Sequence, residues 1–391
     1  MEKYIYNHLP RGGGSISLSL LFLLLIAFGC TDGLDKDSGG LADEDDDIPA
    51  IIEIGEDVTR GPYVEGPSLT KYAVYSFYND TKKVYLSNSI LTRAKKGDPW
   101  SQSKVVKYPT ATREMDFYAM APGFSGDDNI KKTSMTPTAK YIIYTMPTTN
   151  ALQTDFMFSS LMASTRKATN NIIKFNFKHM FTYLRFQAKL SNADIDVKIH
   201  SITLHNLKST GTFTMSNDKA NTGDWELDND AYADYEYVLP VDSALIYKKN
   251  LTLHRTDSML FVMPQNPKLF KFEEGSSFAE ADALKQAYAS IKCRIVNKET
   301  GNYIGCSETT YAEVYYPIKT ASWITAKQPY GTTKNVSLEF TGGYTKEGND
   351  FLKEYSGDAG LENTSVEGVQ GGIYSTEDWV DDTVNSVTIT L

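Results

Sequence analysis

Ile172-Ile-Lys-Phe-Asn-Phe-Lys-His-Met-Phe-Thr-Tyr-Leu-Arg-Phe-Gln-Ala-Lys-Leu190 is the longest strand-like run in the chain, and its pattern decides the fold class. Apolar residues recur first at odd positions (Ile173, Phe175, Phe177) and then at even ones (Met180, Leu184, Phe186, Ala188, Leu190). A period of two marks a half-buried strand. A change of parity turns every later side chain to the other face, so the run requires a bulge near His179. A strand that passes between the two sheets of a sandwich needs such a bend.

The chain reads the same way on both sides of this run. Upstream, residues 48–58, 72–78, 84–90, 103–108, 115–120 and 141–144 are short β-branched or aromatic segments, the last apolar throughout as in a strand buried on both faces. Asn79-Asp80, Pro109, Pro122-Gly123, residues 126–129 and Pro147 punctuate them as turns. Downstream, residues 195–199, 202–207, 259–263, 311–318, 336–340 and 387–391 continue the pattern. Short strands at this spacing predict an all-β sandwich architecture. Ser277-Phe-Ala-Glu280 is a capping box ahead of Phe278, Ala281, Leu284, Tyr288 and Ile291, which predicts one short helix. Residues 163–171 are small and polar and set a boundary between an N-terminal domain, 48–166, and a C-terminal domain, 167–391.

The N-terminus has its own logic. Lys3 and Arg11 precede an apolar run from Ile16 to Phe28 that stops at Gly29-Cys30. That is the layout of a secretory leader, residues 1–29, and the run falls short of the ~20 residues that span a bilayer. Cys30 at the cut predicts a lipoprotein, its thiol carrying the acyl anchor, although Ala27 stands where a bacterial lipobox usually has Leu. Residues 30–47 hold eight acidic side chains against Lys36, and read as a disordered, self-repelling spacer. The formal charge of −10 for the 391 residues is therefore concentrated there, and the remainder offers no nucleic-acid footprint.

Beyond Cys30 the cysteines are Cys293 and Cys306, on two alternating runs around a Gly-containing turn. With a loop at 298–301, Cys293 faces Cys306 and Ile295 faces Ile304. Two readings stay open: a disulfide made in an oxidising compartment, or two reduced, buried, small side chains. His200 and His205 are five apart on one strand, hence on opposite faces, which is poor geometry for a shared metal. His179, among apolar neighbours, reads as a hydrogen-bonded core residue. The acidic pairs Glu273-Glu274 and Asp381-Asp382 lie beside loop residues, and there is no Gly-rich phosphate loop, nucleophile elbow or Cys-His arrangement. No catalytic residue, metal or cofactor is expected.

Several stretches together resemble the fimbrillin family and its minor-fimbria anchor-like members. They are Thr59-Arg60-Gly61 after a first short strand, Asp155-Phe-Met-Phe-Ser-Ser160, Phe175 to Phe186, Leu260-Phe-Val-Met-Pro-Gln265, Tyr315-Tyr-Pro-Ile318 followed by Trp323, and Trp379 ahead of residues 384–391. The resemblance implies two tandem transthyretin-like Greek-key sandwiches and a type V pilin-like role. A lipidated precursor at the outer membrane is cut by a trypsin-like arginine-specific protease, the first strand leaves, and another pilin subunit supplies a strand to the vacated groove. Here residues 48–58 match the removable strand and Arg60 with Gly61 the cut, with Arg93 and Arg113 as competing sites. Residues 384–391 are either the donor strand or the last strand of their own sandwich. The alternative is a surface glycan-binding lipoprotein, which predicts exposed aromatic residues in a coplanar row, whereas Trp100, Trp225, Trp323 and Trp379 are scattered.

Overall fold

In chain order the strands begin with β1 (Ile51–Gly55), β2 (Lys71–Tyr78), β3 (Val84–Thr92), β4 (Ser101–Gln102), β5 (Met115–Ala121), β6 (Ile130–Met135) and β7 (Lys140–Thr145). Next are β8 (Met157–Ser164), β9 (Ile172–Asn176), β10 (Lys178–His179), β11 (Thr182–Leu190), β12 (Ile195–Lys208), β13 (Thr210–Met215) and β14 (Gly223–Leu227). The last are β15 (Tyr232–Ala244), β16 (Leu251–Thr252), β17 (Leu260–Val262), β18 (Tyr288–Asn297), β19 (Ala312–Pro317), β20 (Thr333–Phe340) and β21 (Gly372–Ser375). Short helices are α1 (Arg166–Thr169), α2 (Phe278–Ala283) and α3 (Phe351–Tyr355). This computed structural model describes residues 51–55, 69–95, 98–103, 112–124, 126–170, 172–217, 221–253, 259–319, 333–358, 360–362 and 372–375. All belong to one compact unit, Glu44–Leu391.

The all-β expectation holds. A six-stranded antiparallel sheet in the order β10-β8-β5-β2-β3-β4 has core on both faces of its central strands. On β2, Tyr72 and Val74 join one cluster with Phe117, Ile173, Phe175 and Phe177, while Ala73, Tyr75 and Phe77 join another with Tyr118, Met120 and Phe158. Over the second face lies the sheet β14-β13-β7-β6, and Phe158 meets Phe213 there with ring centroids 4.9 Å apart. Alternation explains the sorting, since successive strand side chains leave opposite faces. In β7 Ile142 and Tyr144 are buried while Tyr141 and Ile143 are half-buried, so this strand is covered fully on one face rather than on both.

A second sandwich pairs the antiparallel sheet β15-β12-β18-β19 with the sheet β16-β11-β20-β21, where β17 also pairs β11 and β20 runs parallel to β11. Phe186 of β11 stacks on Tyr237 of β15 at 5.2 Å between these layers. The expected boundary at 163–171 falls on the end of β8 and on α1, where Thr165 Oγ1 caps the Ala168 N–H and Asn170 adopts φ 51°. Hydrogen bonding is shared across that point: β7 pairs β13, β8 pairs β10, and β1 pairs β9.

Residues 172–190 do more than bend. They divide into β9, β10 and β11, which belong to three different sheets. The parity change expected near His179 is where the chain crosses, and polar anchors hold the crossing. Asp155 Oδ1 lies 3.0 Å from His179 Nδ1 and accepts a 2.7 Å bond from the Tyr183 hydroxyl, and Trp225 Nε1 donates to the Met180 carbonyl at 2.8 Å. Burial and the adjacent Asp155 push the Tyr183 hydroxyl pKa well up, so it stays a donor. The predicted helix starts as expected at α2, with Ser277 accepting from the Glu280 N–H and Glu280 reaching back to the Ser277 N–H, but it ends at Ala283: Leu284 is exposed, and Tyr288 and Ile291 belong to β18.

Two expectations change in detail. The turn after β18 begins in the predicted register, with Val296 paired to Tyr303 and the Ile304 N–H donating to Ile295 O at 2.9 Å. Gly305 at φ 63° then turns the chain away under the Phe351 ring, and Ala312 rather than Cys306 lies opposite Cys293. Cys306 Sγ instead accepts from the Ile295 N–H, and both thiols are free. Burial pushes the Cys293 thiol pKa well up. The histidines of β12 also differ from the reading. A bulge between Ile199 and Ser201 resets the alternation, so that Ile199, Ile202 and Leu204 face the core and both His200 and His205 are on the outer face. They remain apart, His200 stacked on Tyr311 and His205 on Tyr288, each at 4.3 Å.

Candidate assembly site

The features of interest surround β1. Its only hydrogen-bonded strand neighbour among the described residues is β9, with which it runs parallel, Ile52 beside Ile173 and Ile54 beside Phe175. Parallel pairs are slightly less stable per residue than antiparallel ones, and a two-stranded ribbon has little stability of its own. Its hold therefore depends on the core beneath β9. Ile173, Phe175 and Phe177 are wholly buried there, while Lys174 and Asn176 between them are exposed. Phe175 and Phe177 meet Tyr72 edge-on at 6.3 and 5.6 Å, and Tyr72 meets Trp100 at 4.7 Å. Exposing Ile173 or Phe175 to water would cost on the order of 1.5–3 kcal/mol each. Loss of β1 would leave β9 with an unsatisfied backbone edge beside that apolar core.

The sequence singled out Cys30, Arg60 and Gly61, and these lie outside the described residues, as do the acidic spacer and residues 384–391. The competing arginines are described, and both are engaged. Arg93 donates from its backbone N–H to Thr70 O and from Nε to Leu69 O, each at 2.9 Å, and its guanidinium lies 4.5 Å over Trp100. Arg113 lies 3.8 Å over the Tyr78 ring and pairs with Asp80 at 3.3 Å. A protease that binds arginine in a specificity pocket would first have to pull either side chain out of these contacts.

No group of three or more His, Cys, Asp or Glu residues among the described residues is arranged to hold a metal ion. A polar cluster lies on the outer face of β12, where Asp242 accepts from His200 Nδ1 (2.9 Å), Arg294 Nη1 (2.6 Å) and the Tyr311 hydroxyl (3.0 Å). Desolvation opposes its ionisation, but the hydrogen bonds from His200 and Tyr311 and the charges of His200 and Arg294 outweigh it and hold the carboxyl below its usual range. Its geometry ties the segment ahead of β19 to the sheet. The two described tryptophans are packed: Trp225 stacks on Phe181 at 5.7 Å, and Trp100 is sandwiched between Tyr72 and Arg93.

Against this architecture, the fimbrillin-like family model matches residues 68–303, more than half of the chain, and the chain belongs to that family of fimbrial, cell-surface proteins. Among solved structures, a fimbrial protein from Bacteroides vulgatus is similar over 75% of this chain and 95% of its own, with 15% identity and a TM-score of 0.48. The fimbrial anchor protein from Porphyromonas gingivalis is similar over 75% of this chain and 91% of its own, with 10% identity and a TM-score of 0.30. No curated protein sequence matches the chain.

Proposed function

We propose that this chain is a pilin-like structural subunit of a surface fimbria, exported as a precursor lipidated at Cys30 and assembled by strand exchange. A trypsin-like protease cuts between Arg60 and Gly61, β1 leaves with the N-terminal piece, and a strand from another subunit pairs with β9. The observation that carries this reading is the placement of β1: a strand shortly upstream of Arg60 with one described neighbour, β9, whose Ile173, Phe175 and Phe177 are wholly buried. Ladder hydrogen bonds and alternate side chains of an incoming strand can restore what β1 supplied. The engagement of Arg93 and Arg113 supports Arg60 as the site.

The test is to treat the purified precursor with an arginine-specific protease and read both the new N-terminus and the particle size. A single new terminus at Gly61 followed by multimers is the expected result. A cut elsewhere, or a Gly61 product that only unfolds as a monomer, contradicts the proposal.

A further inference from the structure

The two edge strands of the sheet β14-β13-β7-β6 carry opposite charge, two acids on β14 and two lysines on β6. Among the described residues, β14 pairs only with β13 and β6 only with β7. Two other sheet edges are met by the chain itself: β19 exchanges hydrogen bonds with Tyr344 through Tyr315, and β15 donates from the Glu236 N–H to Thr148 O. Within β14, Asp224 and Glu226 are exposed and there is no lysine or arginine; exposed Asp228 and Asp230 follow the strand, where Lys208 Nζ donates to the Asn229 carbonyl. β6 has exposed Lys131 and Lys132 and no acid. Just before β6, the Asp127 carboxylate accepts from the Asn129 N–H at 2.9 Å, and Lys131 Nζ donates to the Asp128 backbone carbonyl at 3.0 Å, so the exposed Asp128 carboxylate still adds negative charge at that end of the edge.

Register makes the opposition specific. Glu226 is paired with Thr212, Thr212 with Ile143, and Ile143 with Lys132, so one row across the sheet starts at a glutamate and ends at a lysine. The neighbouring row runs Leu227, Gly211, Tyr144, Ile130, and another runs Asp224, Thr214, Tyr141, Ser134. All three pairings are antiparallel, so with four strands β14 and β6 point in opposite directions. A second copy in the same orientation therefore offers its β14 antiparallel to β6. If the rows continue, Lys132 meets Glu226, Ile130 meets Leu227 and Ser134 meets Asp224. The like-edge alternatives would set lysine against lysine or acid against acid, which is unfavourable for directly opposed residues.

We propose that β6 of one copy and β14 of a second copy join edge to edge, Lys132 beside Glu226, merging their four-stranded sheets into one antiparallel sheet. Such a contact is heterologous, because different surfaces meet, and each copy keeps one edge free to continue. It involves neither β1 nor β9, so it stands or falls separately from strand exchange.

The experiment is sedimentation velocity on the full chain at low and high salt over a range of concentrations. Wild-type protein is expected to associate at low salt and to dissociate as salt screens the pairs. Lys131→Glu with Lys132→Glu, and separately Glu226→Lys with Asp228→Lys, should each weaken association by about tenfold or more, with unchanged circular dichroism. These positions are exposed, so folding should survive. An equimolar mixture of the two variants should recover association, because the reversed charges again match. A wild-type chain that stays monomeric at low salt, reversals that leave association unchanged, or a mixture no better than either variant alone would each overturn the proposal.

Discussion

β1 and β12 are held in opposite ways. β1 has one described neighbour, β9, in a parallel ladder from Ile51 to Gly55. β12 has antiparallel neighbours on both sides over its middle, β18 from Ile195 to His205 and β15 from Lys198 to Lys208, and its inward residues Ile199, Ile202 and Leu204 are wholly buried. Freeing β1 breaks one ladder at the margin of the fold, whereas freeing β12 would break two and open the main core. The same alternating chemistry therefore yields a removable strand in one place and a fixed one in another, and position in the sheet makes the difference.

The largest effect that can break this contrast is in processing. Arg60→Ala should abolish the Gly61 terminus and the multimers that follow, as read by mass spectrometry and gel filtration, while leaving the precursor folded. In the cleaved wild type, hydrogen exchange should rise in β9 before any incoming strand binds and stay slow in β12. Equal loss of protection in both strands would erase the distinction. Within the fixed sandwich, Phe186→Ala removes the ring stacked on Tyr237 and should cost ~3–5 kcal/mol in urea unfolding, without altering the site of cleavage. Ser277→Ala removes the cap of α2 and should cost about 1 kcal/mol by the same measurement.

The smallest expected effect is electrostatic. The Asp242 carboxyl is held below its usual range, so the folded protein binds that proton less readily than the unfolded chain does. Its contribution is complete above about pH 4 and is lost as pH falls through the lowered folded value. Asp242→Asn should remove that slope from the acid limb of a stability-versus-pH curve, with a change below ~1 kcal/mol at neutral pH because the cluster is partly solvated. A larger change would mean that Asp242 ties the segment ahead of β19 more firmly than its exposure suggests.

Much of the fold was legible where burial follows a local period. β11 was visible from alternation, β2 and β5 from their β-branched and aromatic runs, and the start of α2 from its capping box, because each signal is carried by residues close in sequence. β15 was not visible: Tyr232–Ala244 mixes Asp234, Glu236 and Asp242 with Pro240, and its strand character comes from pairing with β12. β14 was missed for a similar reason, since Asp224 and Glu226 are exposed on a sheet edge. The histidine assignment failed because a bulge at His200 shifts the parity by one residue, and a polar-rich outer face hides that shift from a hydrophobic count. The cysteine register failed after Ile304 because Gly305 turns toward Phe351, a residue far along the chain.

What the sequence determined alone is the set of strands that alternate strongly, the crossing near His179 and the cap of α2, since these depend on neighbours along the chain. Tertiary structure decided that β1 lies beside β9, that β12 is flanked on both sides, and that Glu226 and Lys132 end the same row. Those are pairings between distant segments, chosen by which apolar faces can be buried together, and local periodicity carries no record of the partner.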